Sequence, residues 1–272
     1  VICGRAVGSD TVIRAAGFDT TLFTPKVLYR NNGFAGAFIG NLRYLFVDRP
    51  DGYSAKEVEE TAQKYRTGGK TDTNDELPNV IVLMDEAFAD MSVFGDFETD
   101  APVMPFIDSL TETTVKGTAY VSVKGGNTAN SEYEFLTGDS MLFMPEGSVP
   151  YQQYIKSDMR SMAADLKDMG YKTYALHPYN AKGWCRNKVY PYLGFEEMYF
   201  KDAFVAPEKI RSYISDYSAF SKIIELYEQK DEGSRMFAFE VTMQNHGGYS
   251  KDVDGFWERI HLTDLESKTT SV

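Results

Sequence analysis

Runs of apolar residues in the second part of the chain have the length and composition of buried strands. The run NVIVLM at 79–84 is continuous and rich in β-branched residues, a pattern typical of a strand covered on both faces of a sheet. Similar runs follow at 117–124, 171–176 and 235–243. Together these runs predict four strands.

Amphipathic segments lie between these runs. Residues 157–170 place apolar side chains at helical spacing and end in Gly170, which suits the C-terminal end of a helix. Residues 216–229 predict a second helix, with Asp216 as its cap. Strands that alternate with helices indicate an α/β fold with a mainly parallel central sheet and helices on both faces.

The first part of the chain has a different pattern. The apolar and aromatic stretch 34–46 either packs on its own domain or lies against a membrane surface, and the charged segment 54–66 predicts a solvent-exposed helix. The stretch 67–78 is rich in Gly, Thr and Asp, as linkers are. We therefore expect residues 1–77 to form a juxtamembrane region and linker, and residues 78–272 to form the main domain.

Composition narrows the functional classes. Hydrophobic residues make up 43% of the 272 residues, enough to bury a core, and the formal net charge is −12. This charge, without any basic run, argues against a nucleic-acid partner and leaves room for bound cations. The chain begins with Val1 and has no apolar run of about 20 residues. We expect a piece of a longer protein, in which any membrane segment must lie outside this chain.

Polar groups follow each of the four predicted strands. Glu86 comes after the first run, Thr128 after the second, His177 after the third and His246 after the fourth. Ligands of open α/β sheets bind beyond the carboxyl ends of the strands. A carboxylate, a hydroxyl and imidazoles at one edge are the groups that a divalent metal with an activated alcohol requires.

Each of these residues also has a purely structural interpretation. Glu86 fits a solvated loop acid, Thr128 fits the N-cap of a helix, and a single histidine fits a core or surface position. Trp184 fits a loop tryptophan that packs on Arg186. In the functional interpretation, the helix amides behind Thr128 attract a phosphate or sulfate, and Arg186 holds that group through two hydrogen bonds.

Four motifs, in this order and spacing, resemble the lipoteichoic acid synthase family. They are NVIVLMDEAFADM, GGNTANSEYEFLTG, YALHPYNAKGWCRNKVYPYLGF and VTMQNHGGY, and they span residues 79 to 250. Members of this family are phosphoglycerol transferases of the alkaline-phosphatase/sulfatase superfamily. The resemblance therefore implies an alkaline-phosphatase-like fold.

The resemblance also implies roles for the matching residues. Glu86 matches the family's first metal ligand, and Thr128 matches a threonine that is both nucleophile and metal ligand. Matches to the substrate-binding residues fall on Trp184, Arg186, His246 and, near that pocket, His177. The family metal is Mn²⁺ or Mg²⁺, most often Mn²⁺.

The resemblance further implies a reaction and a place for it. The family transfers glycerol phosphate from phosphatidylglycerol to a glycolipid or a polyglycerol-phosphate acceptor through a covalent threonine intermediate. Its members are anchored by N-terminal helices, with the catalytic domain on the extracellular side of the cell membrane.

Two departures from the family pattern stand out. The family often carries an aspartate two residues after the histidine that matches His177, whereas this chain has Tyr179 there. The family also completes its metal site with an Asp-His pair on a later strand, and no such pair follows His246; His261 lacks the preceding aspartate. We therefore expect either a chain truncated at its C-terminus or a degenerate member.

Two classes of alternative function stay open at this point. A phosphoethanolamine transferase uses the same fold and threonine, whereas a sulfatase normally needs a cysteine or serine that becomes formylglycine. The alternative outside enzymes is a non-catalytic module that binds glycerophosphate polymers. The intact Thr128 turn favours an enzyme, and the missing Asp-His pair favours the binding module.

Overall fold

A computed structural model describes the chain at residues 15–18, 25–45, 47, 49–66, 77–95, 97–123, 126–248 and 260–263. Six strands lie within these ranges: β1 (Val80–Met84), β2 (Tyr171–His177), β3 (Glu197–Phe200), β4 (Lys209–Ile210), β5 (Tyr213–Ile214) and β6 (Arg235–Val241). Eight α-helices lie within them: α1 (Pro25–Asn41), α2 (Ala55–Tyr65), α3 (Pro105–Ser109), α4 (Thr128–Thr137), α5 (Pro150–Gln153), α6 (Met162–Asp168), α7 (Arg186–Tyr192) and α8 (Asp216–Gln229).

Four of the strands form the central sheet, in the order β1-β6-β2-β3. Strand β1 runs parallel to β6, and β2 runs parallel to β3. Strands β4 and β5 form a separate antiparallel hairpin. The prediction of a mainly parallel central sheet with helices is confirmed.

The described residues divide into two compact units. The first takes those within 1–79, 121–171 and 184–196, and the second takes those within 80–120, 172–183 and 197–272. The predicted boundary near residue 77 stays a prediction, because most of the expected linker at 67–78 lies outside the described residues.

Apolar side chains of α8 and the sheet build a core cluster in the second unit. Ile223 and Leu226, at helical spacing on α8, pack in one cluster with Leu176 of β2 and Met236 of β6. Strands β2 and β6 are buried along nearly their whole length. The prediction that the run 79–84 is covered on both faces is wrong, because Ile81 and Leu83 of β1 are 46% and 47% exposed.

The structure corrects three details of the sequence analysis. The predicted strand at 117–124 is wrong, since residues 117–123 form a loop in which Tyr120 is 96% exposed. High β-propensity makes a strand only where a neighbouring strand offers packing. Helix α6 begins at Met162, later than predicted, because the Ser161 side chain accepts from the Ala164 N–H and caps it there. Ser215, and not Asp216, caps α8.

The region before residue 67 combines packed and exposed segments. Ser54 caps α2, because its side-chain oxygen accepts a hydrogen bond from the Glu57 N–H at 3.1 Å. In α1, Leu28 and Ala37 are buried, whereas Phe34 is 76% exposed, so only one side of the apolar stretch packs on the protein. Among the described helices, none combines the length and apolar character needed to cross a membrane.

A close backbone approach in the first unit generates a stability prediction. Gly194 has φ +92°, and a Cβ there would lie 2.7 Å from the Ala164 Cα atom. We expect Gly194→Ala to lower the free energy of unfolding by roughly 3 kcal/mol or more, through backbone strain and the clash together. Urea unfolding measures the change.

Gly233 provides a matched control for this variant. It has φ +77° with no atom within 4 Å of the added Cβ, so Gly233→Ala keeps the strain but lacks the clash. We expect this variant to cost only about 1 kcal/mol. Equal losses of unfolding free energy in the two variants would contradict a destabilising clash between the added Cβ at Gly194 and Ala164.

Candidate active site

The loops after β1 and β6 are joined by hydrogen bonds at the carboxyl ends of these strands. The Glu86 N–H donates to Thr242 Oγ1 at 2.8 Å, and the Thr242 hydroxyl donates to Asp85 Oδ1 at 3.0 Å. The Thr242 N–H donates in turn to the Met84 carbonyl oxygen at 3.1 Å. The half-buried Glu86 is therefore held on a fixed backbone, as its predicted position after β1 requires.

His177 and His246 belong to one row of rings in the second unit. Tyr179 lies between His177 and Tyr213, with ring centroids 6.2 and 5.9 Å away, and Tyr213 lies 5.7 Å from the ring of His246. His177 ends β2 and is 3% exposed, and its Nδ1 donates to the Val241 carbonyl oxygen at 2.9 Å. The ring at position 179, where the family often has an aspartate, thus connects the two predicted substrate-binding histidines.

Three carboxyl groups come together behind this edge. Glu240 on β6 is 0% exposed, and neither carboxylate oxygen has a hydrogen-bond partner among the described residues. Burial, together with the charges of Asp216 and Asp85, raises the pKa of Glu240 to about 8. Burial and Asp85 raise the pKa of Asp216 to about 6. At neutral pH this group of acids therefore retains a proton on Glu240.

Thr128 is the first residue of α4 in the first unit. Asn127 occupies the N-cap position with φ +56°, after Gly126 with φ +87°, and makes no side-chain cap hydrogen bond. The interpretation of Thr128 as the N-cap is therefore wrong. Since 117–123 is a loop, Thr128 reaches its place through this left-handed turn and not through a strand end.

A buried charge network lies one turn below Thr128. The Arg186 Nε–H donates to both oxygens of Glu132, at 3.1 and 3.2 Å, and its Nη2 also contacts Glu132. Tyr190 donates to Glu132 Oε2 at 2.9 Å. The side chains of Arg186 and Glu132 are 3% and 0% exposed. Burial is the largest influence and opposes the charge on Arg186, but the Glu132 carboxylate together with Tyr190 and Tyr151 outweighs it and holds the guanidinium pKa above its usual range.

Backbone strain concentrates beside the predicted site residues. Trp184 and Cys185 have φ +54° and +61° directly before Arg186, and Ala87 has φ +59° directly after Glu86. Each such conformation costs a non-glycine residue about 1 kcal/mol or more, and such residues cluster at functional sites. Strained backbone therefore lies directly next to Glu86, Thr128 and Arg186 in the sequence.

The structure brings some of the predicted residues together within each unit. Glu86, His177 and His246 lie in the second unit. Thr128, Trp184 and Arg186 lie in the first, where Arg186 is joined to the helix of Thr128. Their roles in metal and substrate binding stay predictions.

The predicted metal site was tested against the donors that the structure provides. Across the described ranges, no three His, Cys, Asp or Glu side chains are grouped so that they could hold a metal ion. Of the predicted ligands, Glu86 lies in the second unit and Thr128 in the first. The described residues therefore do not form a complete metal site by themselves.

Sequence reasoning missed two residues of this region. Glu132 lies four residues after Thr128, so it falls on the same face of α4, and this spacing was a usable signal. Glu240 stands within the apolar run of β6, where an isolated charged residue in a buried strand could have marked it.

Comparison with known proteins gives the class first. The mainly parallel sheet with helices is the alkaline-phosphatase-like fold of two solved structures, each 23% identical to this chain. The Streptococcus pyogenes phosphoglycerol transferase GacH in complex with sn-glycerol-1-phosphate has a TM-score of 0.63, covering 81% of this chain and 59% of its own. The Listeria monocytogenes lipoteichoic acid synthase LtaP has a TM-score of 0.55, covering 62% and 41%.

The family follows from the sequence itself. The Sulfatase family matches residues 78–256, and the chain belongs to this family. A Rhizobium meliloti (strain 1021) protein named for the modification of cyclic beta-1,2-glucan is 37% identical over 221 residues. The match covers 81% of this chain and 33% of that protein, so the chain spans about a third of this curated relative's length.

The buried charge pair leads to a prediction for Glu132. We expect Glu132→Gln to lower the free energy of unfolding by about 3–5 kcal/mol, because it leaves the Arg186 charge buried without a counter-charge. Glu196→Gln is the control, since Glu196 pairs with Lys167 at 3.8 Å on the surface, where a lost ion pair costs about 1 kcal/mol or less. Urea unfolding measures the free energy of unfolding of both variants. Similar losses in the two variants would contradict the prediction that the buried ion pair contributes more to stability than the surface pair.

The raised pKa of Glu240 leads to a pH prediction. Its pKa is about 8 in the folded chain against 4.5 as the ordinary value, so the folded state binds the proton more tightly. This contribution to stability is fully present below pH 4.5 and is lost as the pH rises to about 8. We expect Glu240→Gln to match the wild type near pH 5 and to be the more stable protein at pH 8–9. Thermal unfolding across this range measures it, and parallel pH profiles would contradict it.

Proposed function

We propose that this chain belongs to an enzyme that transfers glycerol phosphate from phosphatidylglycerol to an acceptor hydroxyl through a covalent intermediate on Thr128. The observation that carries the proposal is the placement of Thr128. A strained left-handed turn sets this residue at the first position of a ten-residue helix and excludes it from the N-cap role. The proposal sets the reaction at the extracellular side of the cell membrane.

The environment of Thr128 supports a phosphoryl substrate. The dipole at a helix N-terminus favours an anion in front of α4. Arg186 is tied to the same helix through Glu132, one turn further along. Trp184 and Arg186 are presented by strained backbone, as groups that contact a substrate often are. The fold neighbours named as a phosphoglycerol transferase and a lipoteichoic acid synthase support the same reaction class.

The transfer consists of two displacements at phosphorus. In the first, Thr128 Oγ1 bonds to phosphorus, the bond to the diacylglycerol oxygen breaks, and the threonine proton ends on diacylglycerol. In the second, an acceptor hydroxyl oxygen bonds to phosphorus, the bond to Thr128 breaks, and the acceptor proton returns to the threonine. His246 and His177 hold the glycerophosphate group, and His246 can carry the proton to the leaving oxygen.

A divalent cation, Mn²⁺ or Mg²⁺, is part of the proposal, with Glu86 and Thr128 as its ligands in this chain. When bound, such a cation lowers the pKa of a coordinated hydroxyl and offsets charge on phosphoryl oxygens. The described residues do not form a complete metal site, so the two steps above involve only side chains of this chain. Titration of Mn²⁺ into the purified protein tests this part: saturable binding that Glu86→Gln weakens is the expected result, and no binding would contradict it.

The acceptor has two candidates. The expected one is a glycolipid or a growing polyglycerol-phosphate chain, in line with the neighbour named as a lipoteichoic acid synthase. The second is a glucan, favoured by the relative named for the modification of cyclic beta-1,2-glucan. Offering both acceptors in competition, with labelled phosphatidylglycerol, separates them by which product carries the label.

Two other functions are separated by the same assay. A phosphoethanolamine transferase would label acceptors from phosphatidylethanolamine and leave phosphatidylglycerol intact. A non-catalytic module would bind glycerophosphate polymers without any turnover.

The direct test replaces the nucleophile. We expect Thr128→Ala to reduce turnover of phosphatidylglycerol to background while the protein stays folded, because the covalent step is lost. The control is Thr137→Ala on the same helix, whose hydroxyl donates to the Tyr133 carbonyl oxygen at 2.7 Å and accepts from the Asp139 N–H at 3.1 Å. Wild-type turnover by Thr128→Ala would refute the proposal.

A further inference from the structure

The turn between β4 and β5 consists of Arg211 and Ser212, and it carries backbone strain. Arg211 has φ +59°, a conformation that hairpin turns usually give to glycine. A residue with a side chain is strained in this conformation. The strain raises the question of what the arginine side chain does in return.

The guanidinium of Arg211 reaches the loop that carries His246. Its Nη2 donates to the His246 carbonyl oxygen at 3.0 Å and lies 3.4 Å from the Gly247 carbonyl oxygen, and its Nη1 donates to the Gln244 carbonyl oxygen at 3.3 Å. Three backbone carbonyl groups of residues 244–247 thus converge on one side chain.

The same hairpin also contacts the ring of His246. The Arg211 guanidinium lies 5.6 Å from the centre of the Tyr213 ring, which lies 5.7 Å from the centre of the His246 ring. The Nδ1 atom of His246 is buried and has no hydrogen-bond partner among the described residues. Ring packing and the backbone contacts therefore fix the orientation of this imidazole, a task that a hydrogen bond at Nδ1 often performs.

We infer that Arg211 is a positioning residue, which holds the 244–247 loop and, through Tyr213, the imidazole of His246 in place for the glycerophosphate group. Arg211 acts through His246 and needs no contact with the substrate. Its planar guanidinium can serve three carbonyl oxygens at once, which a lysine ammonium cannot do with the same geometry. The role in the reaction rests on the proposed function, whereas the effect on His246 does not.

The test compares Arg211→Gly with the wild type. Glycine suits the positive φ, so this variant removes the side chain while the backbone conformation is kept. The chain has three histidines, so selective ¹⁵N-histidine labelling gives few ring signals in NMR. We expect the His246 signal to shift or broaden while those of His177 and His261 stay in place. The control is Arg160→Gly, which removes an arginine whose side chain is 86% exposed.

The kinetic arm uses phosphatidylglycerol as donor. We expect kcat for Arg211→Gly to fall about 10-fold or more with a smaller change in KM, since small misplacements of a reacting group cost large factors in rate. Arg211→Lys should recover part of this loss, because it restores a donor to one of the carbonyl oxygens.

The outcomes separate this inference from the proposed function. If the wild type shows no turnover, the proposed function fails and the histidine signals alone decide the role of Arg211. An unchanged His246 signal in Arg211→Gly, or equal changes at all three histidines, overturns the inference. If Arg211→Gly does not fold, Arg211→Lys is measured in the same way; loss of folding in both would assign Arg211 to fold stability and also overturn it.

Discussion

A charge pair that water cannot reach organises the first unit of this protein. Arg186 and Glu132 are both almost fully buried, so each charge is tolerable only while the other lies beside it. Glu132 lies on the helix that begins with Thr128, and Arg186 begins a helix of its own. The ion pair therefore joins two helices near their N-terminal ends, each of which follows residues with left-handed backbone conformation. It holds the Arg186 guanidinium against the helix that carries the Thr128 hydroxyl.

In the second unit, hydrogen bonds and ring contacts between described residues hold the predicted site residues in place. Thr242 ties the loop after β1, with Glu86, to the end of β6, and a row of rings ties His177 to His246. Parallel pairing of β1 and β6 brings these loops to one edge. Behind this edge, burial raises the pKa of Glu240 and of Asp216, and the charge of Asp85 raises both further.

The sequence predicts those parts of the site that depend on strand ends. Glu86, His177 and His246 were each predicted to follow a strand, and the structure has strands that end before Glu86 and His246 and at His177. The motif singled out Thr128 as a site residue, but the strand predicted before it is wrong. Residues 117–123 have the composition of a strand but form a loop, without a neighbouring strand to pair with. Two contacts could not be predicted in this way: the ion pair of Glu132 with Arg186, and the hydrogen bonds of Arg211 to residues 244–247. They join residues that are 33 to 54 positions apart in the sequence. Such contacts depend on tertiary packing, which local patterns do not encode.

The central claim is that Thr128 carries the transferred group. The most direct measurement is peptide mass spectrometry after a rapid quench of the protein with Mn²⁺ and phosphatidylglycerol, without acceptor. The account predicts a glycerophosphoryl group on the peptide that contains Thr128, which disappears when an acceptor is added. Turnover of phosphatidylglycerol with an unmodified Thr128 peptide at every time point would contradict it.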